Sequence, residues 1–107
     1  MPDRPISATA RSGVTMIVLN GEDNIGVATR DIAAGETALE IMGRAVTAIE
    51  SIPQGHKIAL RPIGTDGVIV RCGVPVAVAT TPIAEGALVH VHNVASRYIN
   101  NDVDHYE

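Results

Sequence analysis

The apolar residues of this chain come in short runs that glycine or proline often interrupts. No window keeps a 3.6-residue apolar period for the dozen residues that an ordinary helix needs. Short apolar runs between turn formers are typical of strands joined by tight turns, so the sequence predicts an all-β domain of many short strands, with helix confined to short turns. The runs are Met16–Leu19, Ile25–Ala28, Ala38–Met42, Ala45–Ile49, Ile58–Leu60, Val68–Val70, Val74–Ala79 and Leu88–Val91.

An internal repeat organises these runs. The segment Val27–Glu36 matches Val78–Ala87 almost position for position, and Ile52–Gly55 repeats the core of both. In each copy of Ile-x-x-Gly the isoleucine can fill the core, while the glycine supplies the positive φ of a tight turn. The repeat predicts pseudosymmetric strand–turn–strand units within one compact clip or barrel.

The segment Thr37–Ser51 is the one place where helix competes with strand. It contains alanine, leucine, glutamate and methionine, which favour helix, but Gly43 splits it and Val46, Thr47 and Ile49 favour strand. We therefore expect two strands around a turn at Gly43.

Length and composition indicate one small domain. A chain of 107 residues has room for one hydrophobic core, and without Trp or Phe that core must be built from Ile, Val, Leu and Ala. We expect a flexible N-terminal extension over residues 1–13, the folded domain over 14–96 and a polar tail over 97–107. The single cysteine, Cys72, excludes an intrachain disulfide and is predicted to be a small buried hydrophobic residue.

Charge and hydropathy exclude two classes of partner. The net charge is −4, and no basic or aromatic stripe is present to bind nucleic acid. No apolar run approaches the roughly 20 residues of a membrane span, and the N-terminal segment has no apolar core of a signal peptide. We therefore expect a soluble, cytoplasmic protein.

Two histidine motifs are the candidates for chemistry. If Leu88–Val91 is a strand that continues to Asn93, alternation places the side chains of His90 and His92 on one face. Two imidazoles on one face could ligate a metal or bind a substrate carboxylate, although a polar outer strand face would give the same pattern. The motif Gly55-His56-Lys57 offers a third histidine that folding could bring to the same place.

The neighbours of these histidines suggest further roles. His56 is the candidate for metal binding or acid–base catalysis, whereas Lys57 is the candidate for pairing with a substrate carboxylate or a partner, or is simply an exposed charge. Asn93 could bind a substrate hydroxyl, orient an imidazole or cap a turn. Asn24 has a weaker claim to substrate binding, because Asn20–Asn24 also reads as an Asx turn. A carboxylate of the tail could complete a set of two histidines and one carboxylate.

Several of these motifs occur together, and in this order, in a known family. They are Asp23–Ala28, Asp31–Gly35, Ile52–Leu60, Gly73–Ala77, Ile83–Gly86 and His90–Asn93. The stretch from about Val14 to Val94 resembles the small SAF-type domain that begins altronate and galactarate dehydratases, and Gly-His-Lys followed by His-Val-His-Asn is its most specific part.

This resemblance implies a β-clip fold and a hydro-lyase reaction, a β-elimination from a sugar acid or related 2-hydroxy acid. It also implies a divalent metal, iron(II) first and manganese or zinc next, for which His56, His90 and His92 are this chain's candidate ligands. His56 and Lys57 would then be catalytic, and Asn93 and Asn24 would bind the acidic substrate.

In that family a long catalytic part follows the SAF domain, so a larger catalytic subunit is the expected partner. Two-subunit lyases such as sulfolactate sulfo-lyase carry the SAF-like part as a small subunit. The alternatives are a non-catalytic SAF module that binds carbohydrate or a partner, and an interaction subunit that stabilises or gates a larger enzyme. Homo-oligomers could also form through the edges of short strands.

Overall fold

A computed structural model describes residues 14–96 of the chain, and within that range the protein is built from strands and turns. The strands are β1 (Met16–Ile17), β2 (Ile25–Ala28), β3 (Thr37–Leu39), β4 (Ala45–Thr47), β5 (Lys57–Ala59), β6 (Val68–Arg71), β7 (Val74–Ala79), β8 (Leu88–Val89) and β9 (Val94–Ser96). The all-β prediction is confirmed. The expected short helical turns do not occur in the described range, where β-turns take their place. The predicted extension and tail lie outside it.

All strand pairs are antiparallel. The order β1-β2-β5-β8 forms a four-stranded sheet, β6-β7-β9 forms a three-stranded sheet, and β3-β4 is a separate hairpin. That hairpin confirms the two strands predicted around Gly43, which adopts φ 103° in the loop. Glycine is the residue that reaches this conformation without a steric penalty.

The turn repeat has four copies in the structure, one more than the Ile-x-x-Gly pattern indicates. Each copy is a buried alanine, a buried isoleucine four residues later, and a residue with positive φ three residues after that. The copies are Ala28–Ile32–Gly35, Ala48–Ile52–Gly55, Ala59–Ile63–Asp66 and Ala79–Ile83–Gly86. Asp66 (φ 69°) stands where the other copies have glycine, which is possible because aspartate tolerates the left-handed region better than most residues.

The four copies pair two by two. Ile32 and Ile52 exchange two backbone hydrogen bonds of 2.8 Å, and Ile63 and Ile83 do the same. In every copy the amide of the positive-φ residue also donates to the carbonyl of the alanine in its partner copy, at 2.7–2.9 Å. The chain therefore consists of two pseudosymmetric halves.

Each half has its own apolar core. Ile32 and Ile52 lie in one buried cluster with Met16 and Ile58, whereas Ile63 and Ile83 lie in a second cluster. Aliphatic residues and alanine build both, as the lack of Trp and Phe predicts. Replacing one of these isoleucines with alanine typically costs about 2–5 kcal/mol of stability.

The β6–β7 hairpin is attached to the start of β2 by two polar side chains. Asp23, which is 1% exposed, accepts hydrogen bonds from the amides of Cys72 and Gly73 at 3.0 and 2.8 Å. Cys72 (φ 57°) and Gly73 (φ 74°) form the tight hairpin turn, and their positive φ angles are those of a type I′ turn. The prediction that Cys72 is buried is wrong, because this turn exposes its side chain.

Asn24 completes the attachment. Its side-chain amide donates to the carbonyl of Val68 and accepts from the amide of Val70, both at 2.8 Å. The side chain thus extends the backbone pairing of β6 in the way that a neighbouring strand would. Asn24 is 4% exposed, so these bonds satisfy a buried polar group that would otherwise be costly.

Candidate functional site

The histidine motif at the end of β8 is a turn and not a strand. β8 ends at Val89, and the amide of Asn93 donates to the carbonyl of His90 at 2.9 Å to close a turn over His90–Asn93. The prediction that His90 and His92 share a strand face is therefore wrong. The alternation of apolar and polar residues was misleading here because local hydrogen bonds fold the chain back after Val89.

The side chain of Asn93 holds this turn. Its Oδ1 accepts from the amide of His90 at 2.9 Å, and its Nδ2 donates to the carbonyl of Leu88 at 2.8 Å. Asn93 is 5% exposed, whereas His90 and His92 are both exposed. The capping role offered for Asn93 is the one that the geometry supports, and it acts on the turn that presents His90.

His56 lies against His90. Antiparallel pairing of β5 with β8 places Lys57 opposite Val89. His56 precedes Lys57 and His90 follows Val89, so the same register brings His56 opposite His90. The two ring centroids are 5.0 Å apart, and the ring planes are tilted by 53°. The expectation that folding brings the Gly-His-Lys histidine to the second motif is thus fulfilled for His90.

A groove opens beside these rings. It has a volume of about 280 Å³, and Lys57 and His90 are the polar members of its lining. The remaining lining is aliphatic and comes from both halves of the chain: Ile25, Ile69, Val76, Ala77, Val89, Val91 and Val94. An apolar groove with a cation and an imidazole suits a small acid, because the cation can pair with a carboxylate where little water competes.

Among residues 14–96, the predicted ligands His56, His90 and His92 are not gathered into one metal-binding group. Over residues 14–96, no group of three or more His, Cys, Asp or Glu side chains is placed to hold a metal ion. His56 and His90 can each give one ligating nitrogen, so the pair supplies two ligands, fewer than the three protein ligands of ordinary catalytic zinc sites. The described residues do not fit a self-contained metal centre. The tail carboxylates predicted to add a ligand lie outside the described range.

The substrate-binding roles of Asn24 and Asn93 stay predictions. Both atoms of each side-chain amide already bond to backbone groups, and these bonds fix the orientation of both side chains. The sequence pattern indicates only a turn at Asp23 and does not predict its buried structural role. Its burial in an otherwise aliphatic domain is a tertiary feature, and the run Asp-Asn before a strand gives no local sign of it.

The fold and the groove define a small all-β module with a site on its rim. Residues 14–97, which are most of the chain, match the family described as the altronate/galactarate dehydratase SAF domain. The chain belongs to that family, as the resemblance of its motifs indicates.

Two altronate dehydratases are similar to most of the chain. The protein from Escherichia coli K12 is 33% identical over 84% of the chain, and the protein from Bacillus subtilis 168 is 38% identical over 74%. The matched segments make up 18% and 16% of those proteins, so the chain spans less than a fifth of their length.

A shorter similarity involves a subunit of another lyase. The alpha subunit of (2R)-sulfolactate sulfo-lyase from Chromohalobacter salexigens is 35% identical over 45% of the chain and 51% of the subunit. Together these relatives support a role related to dehydratases and lyases. In the described part of the chain, no helix is long and apolar enough to cross a membrane.

Proposed function

We propose that this chain is the SAF component of a hydro-lyase that eliminates water from a sugar acid or related 2-hydroxy acid, and that a larger catalytic chain completes its site. The observation that carries the proposal is the groove that Lys57 and His90 both line, with His56 against His90. Family membership and the altronate dehydratase relatives support the reaction class.

A β-elimination needs two proton transfers. A base removes the proton from the carbon next to the carboxylate, the hydroxyl on the adjacent carbon leaves with the bonding electrons and gains a proton, and the enol product becomes a 2-keto acid. The Lys57 ammonium is suited to hold the substrate carboxylate. The His56–His90 pair is suited to give a proton to the departing hydroxyl, because a ring nitrogen of histidine can carry a proton and release it to a bound group.

The larger chain would supply what this site lacks. The proton on the carbon next to the carboxylate is weakly acidic, so its removal needs a base and an electrophile near the carboxylate. The iron(II), manganese or zinc ion that the resemblance implies would supply Lewis acidity, and its ligands would come from that larger chain. The similarity to a lyase subunit alpha supports the part of the proposal that places this chain in a multi-subunit lyase.

That same similarity favours a second candidate, a sulfo-lyase component. The two candidates share the carboxylate and the 2-hydroxyl of the substrate and differ in the leaving group. Water leaves in one case and sulfite in the other. The apolar lining of the groove favours neither group.

Reconstitution tests the proposal. The proposal predicts that a neighbouring gene encodes the larger lyase chain. The two chains are expressed together, and release of 2-keto acid is measured with altronate, galactarate and sulfolactate. We expect product from one of these substrates with both chains together and none from this chain alone. Absence of product with every substrate, while the two chains still bind each other, would contradict the lyase proposal and favour a binding module.

A further inference from the structure

We infer that Arg44 and Arg61 form a binding site for a small oxyanion, a carboxylate or phosphate group, separate from the histidine groove. The two arginines line one cavity of about 310 Å³ together with Ala45 and Leu60. Arg44 lies in the β3–β4 hairpin, whereas Arg61 follows β5. Two elements that are distant in sequence therefore bring two cations to one recess.

Backbone carbonyls fix the side chain of Arg44. Its Nη1 donates to the carbonyl of Asp23 at 3.3 Å, and its Nη2 donates to the carbonyl of Gly21 at 2.5 Å. A guanidinium has five N–H donors, so three remain for a ligand. Because the side chain is already held, an anion that binds it loses less side-chain entropy than it would on a free arginine.

Neither guanidinium forms a salt bridge among residues 14–96, although the backbone amide of Arg44 donates to Oε1 of Glu40 at 3.4 Å. The cavity lining in this range includes no carboxylate, and neither guanidinium lies within salt-bridge distance of one. Arg30 shows the contrast, since it bonds to the carboxylate of Glu36 at 2.7 Å. The chain has more acidic than basic residues, with 12 of the former and 8 of the latter. In the described range, both guanidinium groups are thus free of carboxylate partners and available to pair with an oxyanion in the recess.

The shape of the guanidinium selects the ligand class. Its planar fork matches two oxygens of a carboxylate or phosphate, and such charge-assisted pairs are stronger than neutral hydrogen bonds. Leu60 follows β5 at the end opposite Lys57, so the recess and the histidine groove lie at different ends of that three-residue strand. An anion can therefore occupy this site independently of the proposed lyase chemistry.

Titration of the full chain with inorganic phosphate, and separately with citrate, tests the inference. Binding is measured by calorimetry and by the NMR signals of the arginine Nε–Hε groups. We expect saturable binding that shifts the signals of Arg44 and Arg61 and weakens with added NaCl. Arg61→Gln should weaken binding by about tenfold, the scale of a lost charge-assisted pair. Arg61→Lys, which keeps the charge without the fork, should lie between.

Arg71→Gln is the matched control. It removes the same charge from the exposed end of β6, which does not line the cavity, and should weaken binding by less than about twofold. Equal weakening by Arg61→Gln and Arg71→Gln would show unspecific charge attraction and overturn the inference. It is also overturned if Lys57→Gln alone abolishes binding, or if neither anion binds. A further outcome is that Arg61→Gln no longer binds the larger lyase chain, while neither anion binds the unchanged protein. The arginines would then contact an oxyanion group of that partner, and the inference of a small-anion site would be overturned.

Discussion

The imidazole rings of His56 and His90 lie with their centroids 5.0 Å apart because β5 and β8 pair in a register that sets Lys57 opposite Val89. Neither ring is placed by its own motif alone. His56 leaves the turn that follows Ile52, and His90 begins the turn that Asn93 closes. The pair is therefore a product of the fold, and changes that disturb either turn should disturb it.

Asn93→Ala tests the turn that presents His90. It leaves the carbonyl of Leu88 and the amide of His90, both in part-buried bonds, without their side-chain partner, and each such loss costs about 1 kcal/mol. We expect a lower free energy of unfolding in urea, with weaker lyase activity of the reconstituted enzyme. Asn93→Asp keeps the acceptor for His90 and should recover part of the stability. Equal stability of Asn93→Ala and the unchanged protein would refute the capping role.

Asp23→Ala tests the attachment of the β6–β7 hairpin. Both carboxylate oxygens accept backbone amides of the hairpin turn, so their removal should lower stability by about 2–4 kcal/mol, within the range for leaving buried donors unpaired. The neighbouring Glu22→Gln alters an exposed side chain and should change stability by less than about 0.5 kcal/mol. Thermal unfolding of both variants gives the comparison, and similar melting temperatures would be inconsistent with this role.

Gly86→Ala and Gly35→Ala separate two reasons for glycine in the turn repeat. Both residues have positive φ, at 85° and 88°, so both substitutions carry the same conformational penalty of about 1–2 kcal/mol. A Cβ on Gly86 would also lie 2.0 Å from the carbonyl oxygen of Thr47, whereas a Cβ on Gly35 meets nothing within 4 Å. Gly86→Ala should thus be clearly the more destabilising in denaturant unfolding. If Gly35→Ala were the more destabilising of the two, the close approach of the β3–β4 hairpin to Gly86 would be ruled out.

Glu36→Gln tests a pH-dependent contribution to stability. The amide of Ala33, which donates to the carboxylate, and then Arg30 hold the pKa of Glu36 below its ordinary value of 4.5. A carboxyl group with a lowered pKa stabilises the folded state above its unfolded pKa, and that contribution is lost as the pH falls through the folded pKa. The variant should therefore be less stable than the unchanged protein at pH 7, and the difference should shrink below pH 4.5. A difference that stays constant across this range would argue against the assignment.

The turn repeat shows how much of the fold can be predicted from the sequence. The pattern Ile-x-x-Gly identifies three of the four copies. It does not identify the fourth, because Asp66 occupies the position of glycine. The alanine four residues before each isoleucine is the signal that would have found it. Local turn chemistry and apolar patterning are enough to predict the all-β class, but not which copies pair, since that depends on contacts between distant segments.

The candidate site shows where sequence reasoning fails. The sequence predicted that His56 could be brought to the motif of His90 and His92, and His56 does lie against His90, but alternation predicted a strand where Asn93 closes a turn. Side-chain to backbone bonds of this kind compete with strand pairing and leave no trace in a hydrophobic pattern. The groove is also invisible in sequence, because Val76 and Val94 reach it from the other half of the fold.

The central claim is that the His56–His90 pair is this chain's contribution to catalysis, and the turnover number of the reconstituted lyase tests it most directly. His90→Ala should lower kcat by about a hundredfold or more, the scale of a lost proton-transfer group, and His56→Ala should act similarly. His92→Ala, an equally exposed histidine of the same turn, is the matched control and should change kcat by less than about twofold. Equal losses for His90→Ala and His92→Ala, or none for either, would contradict the account.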